Sequence, residues 1–313
     1  MKISIYQRGA LMQFYASWYP GDPIYSQYDQ SSSMLISVTS VPRNWKLQTL
    51  TPLPTHIMID SGGFHYATTQ SRPPSPKEIF QQQVAMIGTS DHRITLCALD
   101  YPTLSNYLSS TARDRAIYRT IANAYEFKKL RSDLKNETQI EQLAIVQGND
   151  VASLRRCANE LKKIGFDRYG IGSMAQLYRP EEIIVRIDAV SDVLGQGVHV
   201  FGVSDVRLMN KMINAGAESI DSTTAVTSAK YNIILYSNPF RRFIIADSIT
   251  GRDPNRGGKR IKEPLQCDCP VCRVGQSSEL LEHGTKRNVY LRSLHNYWHL
   301  AHTIRDLQSQ KTD

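Results

Sequence analysis

Short apolar, β-branched runs that end in a polar or glycine turn recur along the chain. ISIY (3–6), MLISVT (34–39), HIMID (56–60), ITLCALD (94–100), LAIVQG (143–148), RYGIGS (168–173), HVFGVS (199–204) and SIDS (219–222) read as strands. Between the later runs, apolar residues return every three or four positions in SPKEIFQQQVAMI (75–87), DVASLRRCANELKKIG (150–165) and RPEEIIVRIDAVSDVLG (179–195). That period belongs to helices with one buried face. ARDRAIYRTIANAYEFKKLR (112–131) is mixed in charge and reads as an exterior helix. Asp150 and Ser204 stand where N-caps are expected. Near-continuous apolar strands alternating with helices imply a parallel sheet. Eight of them predict an α/β fold, a (β/α)8 TIM-like barrel; the competitor is a doubly wound open sheet. No GxGxxG follows an early strand, and polar residues close at least five strands. Barrels gather their chemistry at such strand ends, so the barrel is favoured.

The strand ends are Asp60-Ser61-Gly62-Gly63, Asp100, Gln147-Gly148, Gly172-Ser173, Ser204-Asp205 and Asp221-Ser222. Any one of them alone is better explained as a cap or turn residue. Several acids and an amide at one end of a barrel shift that balance. Two carboxylates across a pocket suit displacement at a sugar carbon, one attacking and one moving protons. Gln147 can donate to a carbonyl and Asp100 can accept from N–H groups, a pairing that reads a guanine-like edge.

Three cysteines, Cys267, Cys269 and Cys272, fall within six positions, too close for a disulfide framework. They read as metal ligands in a reducing compartment, whereas Cys97 and Cys157 sit in apolar contexts as small buried hydrophobes. Spacing leaves His283, His295 and His299 open as the fourth ligand. The chain has 313 residues, 41% hydrophobic and 21% charged, the composition of a globular protein with a substantial core. Its formal charge of +8 suits a polyanionic partner without naming one. No signal-peptide pattern opens the chain and no apolar run reaches bilayer length, so the expectation is a cytoplasmic protein with no membrane partner.

DSGGF (60–64), ALD (98–100), IVQG (145–148), YGIGS (169–173), VFGVSD (200–205) and SIDST (219–223) occur in order, followed by CDCPVC (267–272) and LHN (294–296). The ordered set, spanning about residues 56–305, resembles the tRNA-guanine transglycosylase superfamily. The resemblance implies Asp221 as nucleophile and Asp60 as general acid/base, acting through a covalent glycosyl-enzyme intermediate. It implies a base pocket of Asp100, Gln147 and the backbone around Gly172, with Ser173 beside it. Phe64 and Tyr66, beside Asp60, are the candidates to sandwich a flipped base. It also implies a structural Zn2+ held by Cys267, Cys269, Cys272 and His295, with His299 ranked second. The chain then divides into a catalytic barrel (1–240) and a zinc-binding subdomain with a closing helix (241–313).

Departures from the family pattern refine the expectation. His65 follows Phe64 where many relatives have Gln, and GSMAQ (172–176) replaces a Gly-Gly-Leu-Ala-type loop. STTAVTSAKYNIILY (222–236) is similar to the archaeal branch, which handles 7-cyano-7-deazaguanine. The short form, ending soon after His299, resembles the DNA-modifying DpdA-type DNA-guanine transglycosylases. DNA is therefore the favoured polynucleotide and tRNA the alternative, with guanine and a 7-deazaguanine base as the small-molecule substrates. A catalytically inactive zinc-containing binding subunit is the remaining alternative. A homodimer through the zinc region and helper proteins that open DNA are the partners that would accompany these readings. Arg241, Arg242, Arg252, Arg256, Lys259, Arg260 and Lys262 precede the cysteines, and Lys286, Arg287 and Arg292 follow them. A solvated basic face is the ordinary reading of such residues; Gly251, Gly257 and Gly258 among them suggest instead an arm that follows phosphates, with Arg256, Lys259, Arg260 and Lys262 in contact.

Overall fold

The structure, a computed structural model, describes residues 12–88, 92–103, 108–133, 139–177, 179–246 and 259–309. Eight parallel strands close into a barrel in sequence order: β1 (Gln13–Ser17), β2 (Ser33–Ser37), β3 (His56–Asp60), β4 (Arg93–Cys97), β5 (Ile140–Val146), β6 (Arg168–Ile171), β7 (Val198–Val200) and β8 (Ala217–Ser222). Seven of the expected runs overlap strands β2 to β8. ISIY (3–6) lies outside the described residues, and the first barrel strand is QFYAS. That segment has the strand-formers Phe14 and Tyr15 but no β-branched residue, and it runs on from apolar neighbours with no turn to mark its start. β1 pairs β8 with Tyr15 opposite Asp221, which closes the ring.

Helices α1 (Gly63–Thr69), α2 (Pro76–Ile87), α3 (Ser110–Lys129), α4 (Val151–Ile164), α5 (Pro180–Leu194), α6 (Met209–Asn214) and α7 (Thr224–Lys230) connect the later strands. Their ends follow local chemistry. Ser75 and Glu78 form a reciprocal capping box at α2, and Asp150 with Ser153 forms one at α4. Gly165 and Gly195 stop α4 and α5 in the left-handed conformation. Ser204 is not a cap. Asp205 caps the short turn that follows by accepting from the Arg207 N–H, while the Ser204 hydroxyl is engaged with Ser222 at the end of β8 and Thr224 at the start of α7, at 2.7 and 2.9 Å.

Side chains on a strand alternate between faces, and here the alternation builds the site. Tyr15, Leu35, Met58, Cys97, Leu143 and Ile145 pack together with Phe201 against them as the plug of the barrel interior. Two residues on from Tyr15, Leu35, Met58 and Ile145, on the same face, stand Ser17, Ser37, Asp60 and Gln147. The outward positions, such as Ile57, Ile59, Ile94 and Val146, pack with the helices in one continuous core.

A second sheet has the order β11-β10-β9, from β9 (Ile233–Tyr236), β10 (Arg241–Ile245) and β11 (Lys259–Ile261). It begins at Ile233, ahead of residue 240 where the sequence divides the two units. After it come the single turn α8 (Pro270–Arg273) and the long helix α9 (Lys286–Ser309). α9 packs along α7 and β9 and touches β1. Asn296 ties these pieces together, accepting from the Leu235 N–H at 2.8 Å and donating to the carbonyls of Ala225 and Ile233. Arg305 and Tyr297 both reach Asp29, ahead of β2. Arg292, one of the basic residues that follow the cysteines and read as a solvated face, is instead buried, giving its protons to the carbonyls of Ala229, Leu280 and Glu282 and to Asn232. Its neighbours leave the guanidinium no face to solvent. No helix among the described residues is long and apolar enough to cross a membrane.

Candidate active site and metal centre

A cavity of about 470 Å³ opens at the C-terminal mouth of the barrel, a volume typical of small-molecule sites. Asp60, Phe64, Asp100, Gln147, Gly172, Ser173 and Asp221 all line it. Seven residues scattered over more than half the chain are thus brought to one wall-lined space. Phe64 is 57% exposed, so it stands at the rim rather than inside.

Asp221 ends β8 nearly buried. Its Oδ1 accepts from the Gly202 N–H at 2.8 Å and its Oδ2 from the Ser17 hydroxyl at 2.9 Å. Gly202 adopts a left-handed φ of +72°, which lets the chain after β7 turn its N–H toward the carboxylate. Asp60 ends β3, and its Oδ2 accepts from the Gly62 N–H at 2.9 Å. Burial raises the Asp60 pKa above the usual carboxylate value; hydrogen bonds from Gly62 and Ser37 oppose the rise, and the charge of Asp221 adds to it. A carboxyl inclined to hold its proton thus shares the cavity with Asp221, whose oxygens accept from neutral donors.

Asp100 and Gln147 form the polar floor. Gln147 Nε2 donates to Asp100 Oδ2 at 2.6 Å, while Gln147 Oε1 accepts from the Ser173 hydroxyl at 2.7 Å. The Thr103 N–H supports Ser173 at 2.9 Å. These donors fix which way the Gln147 amide points. Burial first, and then the charge of Asp60, push the Asp100 pKa up to about 7. Two glycines make room for the pair. A Cβ at Gly172 would stand 2.1 Å from Gln147 Nε2, and one at Gly63 would stand 2.2 Å from Asp100 Oδ1.

The C-terminal cluster takes a different form. One donor atom each from Cys267, Cys269, Cys272 and His295 lie within 4.8 Å of one another. His295 Nδ1 is 4.0, 3.2 and 3.9 Å from the three sulfurs in that order. Tetrahedral zinc with bonds of about 2.3 Å to sulfur and 2.0–2.1 Å to nitrogen requires edges of roughly 3.6 Å between S and N, so the donor set fits Zn2+. His295 Nε2 is 2.9 Å from the Leu235 carbonyl, which sets the tautomer that leaves Nδ1 bare for metal. Burial lowers the His295 pKa and so favours the neutral ring that a ligand must be. His299 is outside the set: its Nδ1 accepts from the Ser237 N–H at 2.9 Å. A closed four-ligand site supplies folding energy rather than an open coordination position.

Other candidates fall elsewhere. Tyr66 does not line the cavity; its ring packs over Gly62, because α1 turns that position away from the barrel axis. Asp205 pairs with Arg207 and is spent as a cap. Lys259 and Arg260 are exposed on β11 and Lys262 just after it, none lining the cavity, and the Arg260 guanidinium turns back to the Ala246 carbonyl. Arg252 and Arg256 lie outside the described residues. Sequence reasoning missed Ser17, Ser37 and His199. The signal for the two serines was the period of two counted from the interior residues, Tyr15 to Ser17 and Leu35 to Ser37.

The family model described as Queuine tRNA-ribosyltransferase matches residues 39–310. A tRNA-guanine(15) transglycosylase of Korarchaeum cryptofilum is 23% identical over 248 residues, covering 77% of this chain and 38% of its own length. One from Pyrococcus furiosus is 26% identical over 259 residues (79% and 38%), and one from Methanocaldococcus jannaschii is 26% identical over 258 residues (77% and 35%). The chain thus spans little more than a third of the length of these curated relatives.

Proposed function

The chain belongs to the Queuine tRNA-ribosyltransferase family, and from that premise we propose that it exchanges a guanine base in tRNA for a 7-deazaguanine-type base. The sequence alone favoured DNA. The relatives above are named as tRNA enzymes, which moves the reading to its tRNA alternative. The observation that carries the proposal is the shared cavity, in which the charge of Asp221 reaches Asp60 beside a Gln147–Asp100 pair suited to a purine edge.

In the first displacement an Asp221 oxygen attacks C1′ of the target nucleotide. The C1′–N9 electrons leave with guanine, and Asp60 gives its proton to the departing base. In the second, Asp60 takes a proton from the incoming base, whose nitrogen attacks C1′ and releases the Asp221 carboxylate. Two inversions retain configuration and give ping-pong kinetics. Asp100, when ionised, accepts from the N1–H and the exocyclic amine of guanine, and Gln147 is poised beside it to donate. The target base must leave its stack to enter, at a cost of roughly a few kcal/mol. Zn2+ on the cysteine cluster stabilises the C-terminal unit and takes no part in these steps.

Labelled guanine, incubated with the protein and either a tRNA transcript or DNA of equal length, tests the reading. Label is expected in tRNA, with a covalent protein–RNA adduct that Asp221→Ala abolishes. Label in DNA alone would move the substrate to DNA; label in neither would sink the exchange itself.

A further inference from the structure

His199 sits beneath the nucleophile, wholly buried on β7 and edge-on to the rings of Tyr15 and Phe201. A register shift between Val198 and His199 sets its ring against β8, opposite Ser219. Nδ1 is 3.0 Å from the Ser219 hydroxyl oxygen. Nε2 is 3.4 Å from Asp221 Oδ1 and completes no hydrogen bond among the described residues, so Asp221 is the polar group placed to receive a proton from it.

The protons in this chain of contacts have a forced order. Arg168 Nη2 lies 3.2 Å from the Ser219 hydroxyl, and a guanidinium can only donate. Glu218 holds that guanidinium at 2.7 Å, and the Tyr15 hydroxyl accepts from its Nη1. Ser219 has a lone pair for Arg168 and one proton to place; His199 Nδ1 is the acceptor within its reach among the described residues, and the opposite tautomer would turn a bare Nε2 lone pair toward the Asp221 oxygen. Burial keeps the imidazole neutral by lowering its pKa. A neutral ring whose Nδ1 accepts carries its proton on Nε2, facing Asp221.

We infer that His199 is a positioning residue, holding Asp221 Oδ1 through an Nε2–H whose tautomer is set by the Ser219 hydroxyl on Nδ1. A carboxylate offers about four lone-pair sites. Gly202 and His199 occupy those of Oδ1 and Ser17 one on Oδ2, so the free pair lies on Oδ2. Oδ2 is then the oxygen that bonds to C1′, and Oδ1 becomes the ester carbonyl between two donors. When the ester breaks, charge returns to a carboxylate that those same donors stabilise. The assignment rests on the proposed role of Asp221.

Three variants and one spectrum test it. In wild-type protein, nitrogen NMR of the histidine ring is expected to show a neutral ring protonated at Nε2; a proton on Nδ1, or on both nitrogens, would overturn the inference without any activity measurement. His199→Leu is expected to slow adduct formation at saturating tRNA by ~10–100-fold, the value of one hydrogen bond to a charged group, with tRNA affinity unchanged. His199→Gln, which offers an N–H near the same point, is expected to recover most of that loss. Ser219→Ala keeps the ring and is expected to let a proton appear on Nδ1. A folded His199→Leu protein forming adduct at the wild-type rate, or a Gln variant no better than Leu, would refute the positioning role. Failure of wild-type protein to form any adduct would instead refute the proposed function, so the two are separable.

Discussion

Asp100→Asn should make the protein more stable, and increasingly so as pH rises. The side chain is buried against Gln147 beside Asp60, and its pKa moves from the usual 3.8 to about 7. In the unfolded chain the carboxyl ionises from about pH 4 upward, while the folded protein keeps the proton until about pH 7. The folded state therefore binds more protons across that window. The group's contribution is fully present below about pH 4 and is lost as pH climbs through about 7. One pH unit of such a mismatch is worth about 1.4 kcal/mol, so wild type loses roughly 2–3 kcal/mol between pH 5 and pH 7 on this account. Asparagine keeps an acceptor for Gln147 and never ionises. With unfolding entropy of roughly 2 cal/mol/K per residue over 313 residues, the gap corresponds to about 3–4 °C in Tm. Denaturant or thermal unfolding of both proteins at pH 5, 6, 7 and 8 measures it, and the Asp60 contribution cancels to first order in the difference. A variant-minus-wild-type difference that stays flat, or shrinks as pH rises, would refute the placement of a proton on Asp100.

Gly172→Ala should expel the Gln147 amide from Asp100, since a methyl 2.1 Å from Nε2 cannot coexist with the 2.6 Å hydrogen bond. Loss of one charge-assisted bond predicts guanine binding weaker by ~10–150-fold with the fold retained; calorimetric titration with guanine showing unchanged affinity would count against that floor. Chelation, or Cys269→Ser, should release one zinc ion per chain and raise hydrogen exchange in residues 233–236 and 286–300, where His295 and Asn296 are anchored, before the barrel strands. Protein purified with no bound zinc but an equally protected α9 would argue against the metal site.

Much of this architecture is written in short-range pattern. Runs such as HIMID and LAIVQG carry their strand character openly, because fully buried parallel strands need apolar residues on both faces. Capping boxes such as Ser75/Glu78 are readable because they close within one turn. What escaped was information that exists only across the ring. QFYAS has only Phe14 and Tyr15 to favour a strand and no turn before it, and it is fixed as one by pairing with β2 and β8. Ser204 looks like a cap from its neighbours in the chain, yet its hydroxyl answers to Ser222 at the end of β8 and Thr224 at the start of α7. Arg292 looks like one more basic surface residue, and only the carbonyls of α7 and the zinc loop make it interior. Among the candidate site residues, the acids and the amide were legible because each ends its strand. His199 was not, since nothing in VHVFG says that its ring lies against Asp221 of the adjacent strand; only the β7–β8 register does.

The last long helix spans the seam where the barrel shuts. Through Asn296 it grips α7 and β9, just after the eighth strand, and through Tyr297 and Arg305 it grips Asp29, between the first and second. During synthesis, the opening and closing staves of the ring are therefore made long before the hoop that binds them. The ring's join is expected to stay loose on the ribosome until residues 286–309 emerge, making this a protein whose final locking step is late and long-range.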